Sequence, residues 1–487
     1  MLMSATHTQD QQNIDEAQQL NLQPGMRIHL VGIAGSGMSA IAWLLLGRGF
    51  AVSGSDLHQN DLVTALREAG AVVHVEHHAK NVSDAELVVI SSAVPPQNVE
   101  VVAALEAGIP VLKRADLLGY LMTGAVGIAV AGTHGKTTTT SMIAHILLEA
   151  GRDPSLVAGG ILPGLGRNGR AGESDLFVVE ADEYDYMFLG LRPQIELVTN
   201  LEHDHPDLFD TPAAYLSAFM KFVDRLPPDG TLICCHDDEG ARQLLAENQR
   251  GDIQVMTYGT GEAPDGFHFR AVDLQPNQLG GTDFVVLYNG DTLGLARLRL
   301  PGEHNVRNAL AAIAACNALG VAFTEIVQAL ISFGGVERRF QLVGEIRDVT
   351  VIDDYAHHPT EIRATLAAAR QRFRGRRLWA VWQPHTYSRT HLLGREFARS
   401  FGDADRVIVL DIYRSREKDT LGVNAAQIVA EMDHPYARHI GLKEEAAKFI
   451  LDRVLPGDLV LTLGAGDGDE VGKWILDGLR RRVQANP

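Results

Sequence analysis

Three cysteines in 487 residues leave no disulfide framework: Cys234, Cys235 and Cys316 are odd in number, two are adjacent, and none has zinc-site spacing. All three read as reduced, buried thiols. Basic charge is also scarce, with 43 Lys and Arg against 61 Asp and Glu and a formal net charge of -18. That balance excludes nucleic acid as a partner, because neutralising successive phosphates takes a basic face. A small nucleotide is not excluded, since helix N-termini and loop amides supply positive potential locally. No apolar run reaches the roughly 18 to 20 residues of a membrane span. The segment Met1–Leu20 lacks a basic-then-apolar pattern, so residues 1–24 are expected to be a disordered lead-in, not a signal peptide. A cytoplasmic protein without a membrane partner is expected.

Glycine, by contrast, is plentiful at 48 residues, as tight turns and close backbone-to-ligand approaches require. The length exceeds what one core holds, and strand, turn, helix patterns recur in three blocks. The first runs from an apolar stretch at Arg27 to Ile33 through glycines into a helical pattern at Met38 to Leu46, followed by strands near Phe50 to Ser53, Ala71 to Val75 and Leu87 to Ser91. The second opens with a strand at Gly124 to Ala131 and a helix at Thr137 to Glu149, and closes with the Ala-rich helix from Asn305 to Leu319. Within it, Gly259 to Leu300 reads as a small antiparallel insertion. The third has strands at Leu378 to Trp382, Arg406 to Leu410 and Asp458 to Leu463. The expected class is α/β in three domains, 25–122, 123–336 and 337–487: a Rossmann-like unit, a central P-loop ATPase-type unit and a second Rossmann-like unit.

The chemistry concentrates at Ala131-Gly132-Thr133-His134-Gly135-Lys136-Thr137-Thr138, between an apolar strand and a helix. Glycines let amides face phosphates, Lys136 adds a point charge, and the Thr137 hydroxyl suits Mg²⁺. Only Val130, where the general pattern has its first Gly, departs from it. A second turn, Gly32, Gly35, Ser36, Gly37 and Met38 with Asp56 after the next strand, has dinucleotide-type spacing but cradles any diphosphate. Between the two, Glu180, Ala181, Asp182 and Glu183 end one strand and Glu202, His203, Asp204 and His205 end another. Hard oxygen ligands at strand ends beside a phosphate loop suit Mg²⁺.

Together with His304 to Asn308, Arg338-Arg339-Phe340 and Asp353 to Pro359, these motifs resemble the Mur ligase family, from about Arg27 to the final helix. The resemblance implies ATP and Mg²⁺ as cofactors, with Lys136, Glu180, His205 and Arg339 catalytic and Thr137, Glu180 and His205 at the metal. It implies nucleotide contacts from residues 131–138, Asn305 to adenine, Arg339 to the γ-phosphate and Asp354 to ribose. The first turn, with Ser91 and Ser92, would hold a UDP sugar. Tyr355, His357, His385 and Arg389 would hold an amino acid, Arg389 through its carboxylate; some relatives carry a second arginine where this chain has Thr386. Within the family, the opening Ile28-His29-Leu30-Val31-Gly32-Ile33 and Gln383-Pro384-His385 are most similar to members joining L-alanine to UDP-N-acetylmuramate. A monomer or homodimer is expected. The alternatives are a sister ligase adding a tripeptide or another amino acid, a folate or polyamide ligase, an NAD-dependent oxidoreductase with a P-loop module, and a non-catalytic nucleotide switch.

Overall fold

A computed structural model describes residues 21–261 and 267–485, so most of the expected lead-in at 1–24 lies outside the described residues. Three sheets organise the chain. The first has five parallel strands in the order Val72–Val75, Ala51–Asp56, Arg27–Val31, Leu87–Ile90 and Val111–Lys113. Its centre is fully buried at Ile28, Leu30 and Val31, as the unbroken apolar run requires of a strand covered on both faces.

The central sheet has ten strands: Asp291–Arg297, Thr282–Tyr288, Phe269–Pro276, Gln254–Gly259, Thr231–Cys235, Ile195–Val198, Val126–Ala131, Leu176–Glu180, Ser155–Leu162 and Arg167–Arg170. The stretch expected as a small antiparallel insertion forms the edge of this sheet. Phe269–Pro276 continues from Gln254–Gly259 in parallel, and each of the next two strands pairs antiparallel with the one before it, as Arg167–Arg170 pairs with Ser155–Leu162 at the other edge. The reason is packing: Phe269, Ala271, Phe284 and Val286 are fully buried in the same core as the helix Glu303–Ala318, so the hairpin has no core of its own. All three cysteines are free and buried.

The last sheet has six strands, ordered Gln341–Ile346, Val349–Asp354, Leu459–Leu463, Leu378–Trp382, Arg406–Val409 and Ala437–His439, the first antiparallel and the rest parallel. The first two domains meet through bare backbone. A Cβ on Gly169 would lie 2.1 Å from the Ala40 carbonyl oxygen, and one on Gly119 2.0 Å from that of Gly190. No helix among the described residues is long and apolar enough to cross a membrane.

Candidate active site

The strand Val126–Ala131 ends in a four-residue turn, and the helix Lys136–Glu149 starts directly behind it. Both glycines of the turn are forced. Gly132 has φ 126° and its Cβ would lie 2.2 Å from Thr199 Oγ1; Gly135 has φ 80° and its Cβ would lie 2.5 Å from Asn308 Oδ1. The end of the neighbouring strand holds the turn open: Thr199 Oγ1 and Asn200 Nδ2 donate to the His134 carbonyl at 2.6 and 2.9 Å, and His134 N donates to Asn200 Oδ1 at 2.8 Å. The first amides of the helix have no intrahelical acceptor and make an anion-binding end.

The adjacent strand Leu176–Glu180 delivers carboxylates to this point. Thr137 Oγ1 donates to Glu180 Oε1 at 2.9 Å, and Gly159 N to Glu180 Oε2 at 2.6 Å. Lys136 Nζ pairs with Glu183 Oε2 at 2.9 Å and donates to the carbonyls of Gly132 and Thr133 at 2.5 and 3.2 Å. Burial alone would lower the Lys136 pKa, but the charges of Glu183, Asp182 and Glu180 outweigh it and raise it. Burial raises the Glu180 carboxyl despite Lys136, whereas Lys136 and His205 pull Glu183 down against its burial. His205, with φ 55°, stands 3.6 Å from Glu183 Oε1. Of the expected metal trio, Thr137 and Glu180 therefore touch directly, while His205 reaches the group through Glu183.

Asn305, Arg339 and Asp354 line one cavity of about 260 Å³ with His134, Gly135 and Thr138. Asp354 is more than a cavity wall: it accepts from Phe340 N at 2.7 Å and Ala356 N at 2.8 Å, and burial raises its carboxyl to about 6. Arg339 lies over the Tyr355 ring, 5.0 Å from its centroid, and 3.9 Å from Glu361. A larger cavity of about 870 Å³, bordered by Arg48, Arg192 and Arg225, lies at the joint of the first two domains. It contains no phosphate-loop residue, so the smaller cavity is the candidate nucleotide site.

The last domain closes on the loop through two clasps. His134 Nδ1 faces Glu361 at 3.2 Å and Nε2 faces Glu202 at 3.1 Å. Two acceptors require two donors, hence an imidazolium. Burial opposes that charge, but Glu361 and Glu202 raise the His134 pKa to about 9. Thr360 Oγ1 adds a bond to Glu202 Oε1 at 2.8 Å. In the second clasp, buried Arg389 donates through Nε and Nη2 to Asp204 at 3.1 and 2.9 Å. The paired donors expected to take an amino-acid carboxylate are thus engaged by Asp204. Beside them, burial lowers the His357 pKa to about 4 and that of His385 to about 3, making both imidazoles neutral. Tyr355 accepts at its carbonyl from His357 Nδ1 at 2.9 Å.

In the first domain, Gly32 has φ 85° and its Cβ would lie 3.2 Å from Ser91 Cβ, so the turn and Ser91 are neighbours. Ser92 follows Ser91, half-buried. Asp56 accepts from Ala34 N at 3.0 Å and His58 N at 3.0 Å, which makes it a brace for the turn. Gly35 is the N-cap of the helix Ser36–Gly47. Met38 is 1% exposed, leaving only its backbone to face a ligand. Gly37 leaves room for a side chain the sequence did not point to: Arg114 Nη1 lies 2.3 Å from where its Cβ would be, and Arg114 donates to Asp182 at 2.7 Å across the domain boundary. Arg114, Thr360, Glu361 and Tyr215, whose hydroxyl donates to Glu183 at 3.1 Å, were not singled out from the sequence. Only the Glu361 spacing behind His358, a capping-box pattern, gave a signal.

A phosphate loop on one α/β domain, capped by a second and abutted by a third with its own glycine turn, defines a three-domain nucleotide-dependent enzyme. Comparison with known proteins narrows the class. Residues 27–125 match the Mur ligase family catalytic domain, 130–316 the Mur ligase middle domain and 338–466 the Mur ligase glutamate ligase domain. The chain belongs to the Mur ligase family. It is 44% identical to a UDP-N-acetylmuramate–L-alanine ligase of Pelotomaculum thermopropionicum, covering 90% of this chain and 95% of the relative. It is 43% identical to the protein of the same name in Geotalea uraniireducens, covering 93% and 98%. Among solved structures, a UDP-N-acetylmuramate-alanine ligase of Thermotoga maritima matches with TM-score 0.80 and 29% identity over 95% of this chain and all of that one. A murein peptide ligase of Psychrobacter arcticus matches with TM-score 0.71 and 27% identity over 93% and 99%.

Proposed function

We propose that this chain joins L-alanine to the lactyl carboxylate of UDP-N-acetylmuramate, with ATP converted to ADP and phosphate, in the cytoplasmic synthesis of peptidoglycan precursors. The observation that carries the reading is the shared cavity: His134, Gly135 and Thr138 of the phosphate loop and Arg339 and Asp354 of the last domain line it together. The first domain, 25–122, would hold the UDP sugar at Gly32, Gly35, Ser36, Gly37, Ser91 and Ser92. The central domain, 123–336, would hold ATP on residues 131–138 and Asn305. The last, 337–487, would bring Arg339 and Asp354 to the nucleotide and Tyr355, His357, His385 and Arg389 to the amino acid. All these residues come from one chain, so a monomer and a homodimer serve equally.

A carboxylate and an amine do not condense unaided in water, because hydroxide is a poor leaving group. Transfer of the γ-phosphoryl group to the lactyl carboxylate gives an acyl phosphate, whose carbonyl the alanine amine attacks, expelling phosphate. Lys136 is half-buried, and the neighbouring carboxylates raise its pKa above the usual lysine value, so it offsets charge on the transferring phosphoryl group without reorganising. Arg339 would do the same from the opposite wall. Neutral His357 and His385 can accept hydrogen bonds from the incoming amine through a free ring nitrogen, while the burial that holds their pKa values at about 4 and 3 makes them poor bases, so the amine proton leaves to water. The Thr137 hydroxyl and Glu180 carboxylate, 2.9 Å apart, are a hard oxygen pair of the kind Mg²⁺ takes, with His205 nearby; the ion would supply charge neutralisation at the phosphates.

The test is phosphate release from Mg-ATP with UDP-N-acetylmuramate, screening single amino acids and the murein tripeptide with and without the sugar. Release that requires both the sugar and L-alanine supports the assignment. Release driven by the tripeptide moves the acceptor toward the murein peptide ligase type, and release with neither overturns the ligase reading.

A further inference from the structure

An α-amino acid presents one carboxylate, and guanidinium groups hold carboxylates best because they offer paired N–H donors. Arg389 cannot supply that edge unaided. Its Nε and Nη2 are engaged by Asp204, with both residues buried, and its Nη1 points at His385 Nδ1 at 3.4 Å. Thr386, one turn before Arg389, offers only a hydroxyl. Resting on the ligase reading above, we infer that Arg416 supplies the second guanidinium for the amino-acid carboxylate.

Three observations converge on Arg416. Its Cζ lies over the Tyr184 ring, 4.7 Å from the centroid, and Tyr184 packs edge-on against His205 at 5.1 Å. The guanidinium therefore spans from the last domain to the central one, onto the ring of the residue that follows Glu183, while its side chain stays exposed. The loop that carries it is tied to the Thr386 segment. Thr386 N donates to the Tyr413 carbonyl at 2.8 Å and Tyr413 N to that of Pro384 at 2.8 Å. Glu417, next to Arg416, accepts from Ser388 N at 3.1 Å and Ser388 Oγ at 2.5 Å, and also from Tyr387 N. A side chain at 416 and one at 386 are thus presented by adjoining strips of backbone. Finally, after burial, His357 and Arg389, Arg416 is among the groups that keep His385 neutral. Its charge reaches the imidazole wall of the proposed amino-acid site.

Steady-state kinetics against L-alanine test this. Arg416→Ala should raise KM for L-alanine by about tenfold or more, as expected for losing a charge-assisted carboxylate contact. The KM values for ATP and the UDP sugar should stay unchanged, which also shows that the variant is folded. Adding Thr386→Arg to Arg416→Ala should recover most of the loss, a rescue that a merely structural role for Arg416 would not give. An unchanged KM for L-alanine in Arg416→Ala, or a loss that Thr386→Arg leaves in place, overturns the inference. A wild-type enzyme that releases phosphate with no amino acid refutes the ligase reading itself, a result distinct from an active wild type whose Arg416→Ala variant keeps its KM. Should another amino acid prove to be the acceptor, the same KM comparison applies to it, since the carboxylate is common to all.

Discussion

Replacing Asp204 by Asn should swing the last domain away from the phosphate loop. The substitution keeps size and removes the charge that buried Arg389 faces. At 2.9 Å the direct attraction is about 5 to 6 kcal/mol at an effective dielectric of roughly 20. Desolvation of both groups cancels most of that in the intact pair, but deleting one partner leaves the other buried and unpaired, at about 3 to 5 kcal/mol. Because the two residues lie on different domains, 185 positions apart, the loss falls on docking: opening rehydrates Arg389 at less cost than unfolding either domain. The ratio of closed to open molecules should therefore drop by about a hundredfold or more, at 1.4 kcal/mol per decade. Energy transfer between fluorophores on cysteines introduced at exposed Ala246 and Lys448 reads this directly, and the native cysteines, all buried, leave labelling selective. Arg389 belongs to the proposed amino-acid wall, so activity is not the readout. The double variant Asp204→Asn with Arg389→Met should regain part of the closed fraction, since no orphaned charge remains. Transfer efficiency in Asp204→Asn equal to wild type, or a double variant that merely sums the singles, would refute the clasp.

The His134 clasp should be pH-dependent. Its pKa is raised from 6.5 to about 9, so the stabilisation is fully present below 6.5 and is lost as pH rises through about 9; the same energy-transfer signal should fall over that window and flatten in His134→Ala. Glu196 is fully buried with neither carboxyl oxygen hydrogen-bonded, and burial raises its pKa well above 4.5. The folded chain then keeps a proton that the unfolded chain releases, so its contribution to stability declines as pH climbs above 4.5. Glu196→Met should raise the thermal midpoint at pH 8, and a lower midpoint there would contradict the assignment. Glu180→Gln and Thr137→Ala should each raise the Mg²⁺ concentration for half-maximal phosphate release, with the KM for the UDP sugar unmoved; variants with wild-type metal dependence would remove these residues from the metal site.

What the sequence disclosed and what it hid divide along one physical line. The phosphate loop was legible because its demands are local: Gly132 and Gly135 hold positive φ against neighbouring side chains, and Lys136 and Thr137 must follow at once. The strand near Glu180 was legible as a continuous apolar run ending in polar residues, and the one near Val198 was legible although Glu196 interrupts its run. The clasps were not, since His134 and Glu361 are 227 positions apart and Arg389 and Asp204 185. No spacing encodes a pairing that only domain docking creates. The same holds for the space at Gly37, which the Arg114 side chain from the start of another helix fills. The strands Phe269–Pro276 and Thr282–Tyr288 pair antiparallel, as read, while the parallel joining of Phe269–Pro276 to the central sheet was not read. Alternation reports that one face is buried, without saying against what.

The distances connect these parts into one row of alternating charge. Lys136 meets Glu183 at 2.9 Å, Glu183 meets His205 at 3.6 Å, His205 meets Asp204 at 3.9 Å and Asp204 meets Arg389 at 2.9 Å. A triphosphate on the loop competes with Glu183 for Lys136, and a Glu183 released from Lys136 is left to His205, so the charge seen by Asp204 and Arg389 changes. Nucleotide binding and domain docking are then coupled, and coupling must be reciprocal. The second route, from His134 in the loop to Glu361, bypasses this row. Adding ATP should therefore increase the closed fraction in the wild type and increase it less in Glu183→Gln. In Glu183→Gln combined with His134→Ala the response should be smallest, with ATP binding measured in parallel by calorimetry. If the double variant binds ATP and still closes as fully as the wild type, the signal travels by contacts other than these ions.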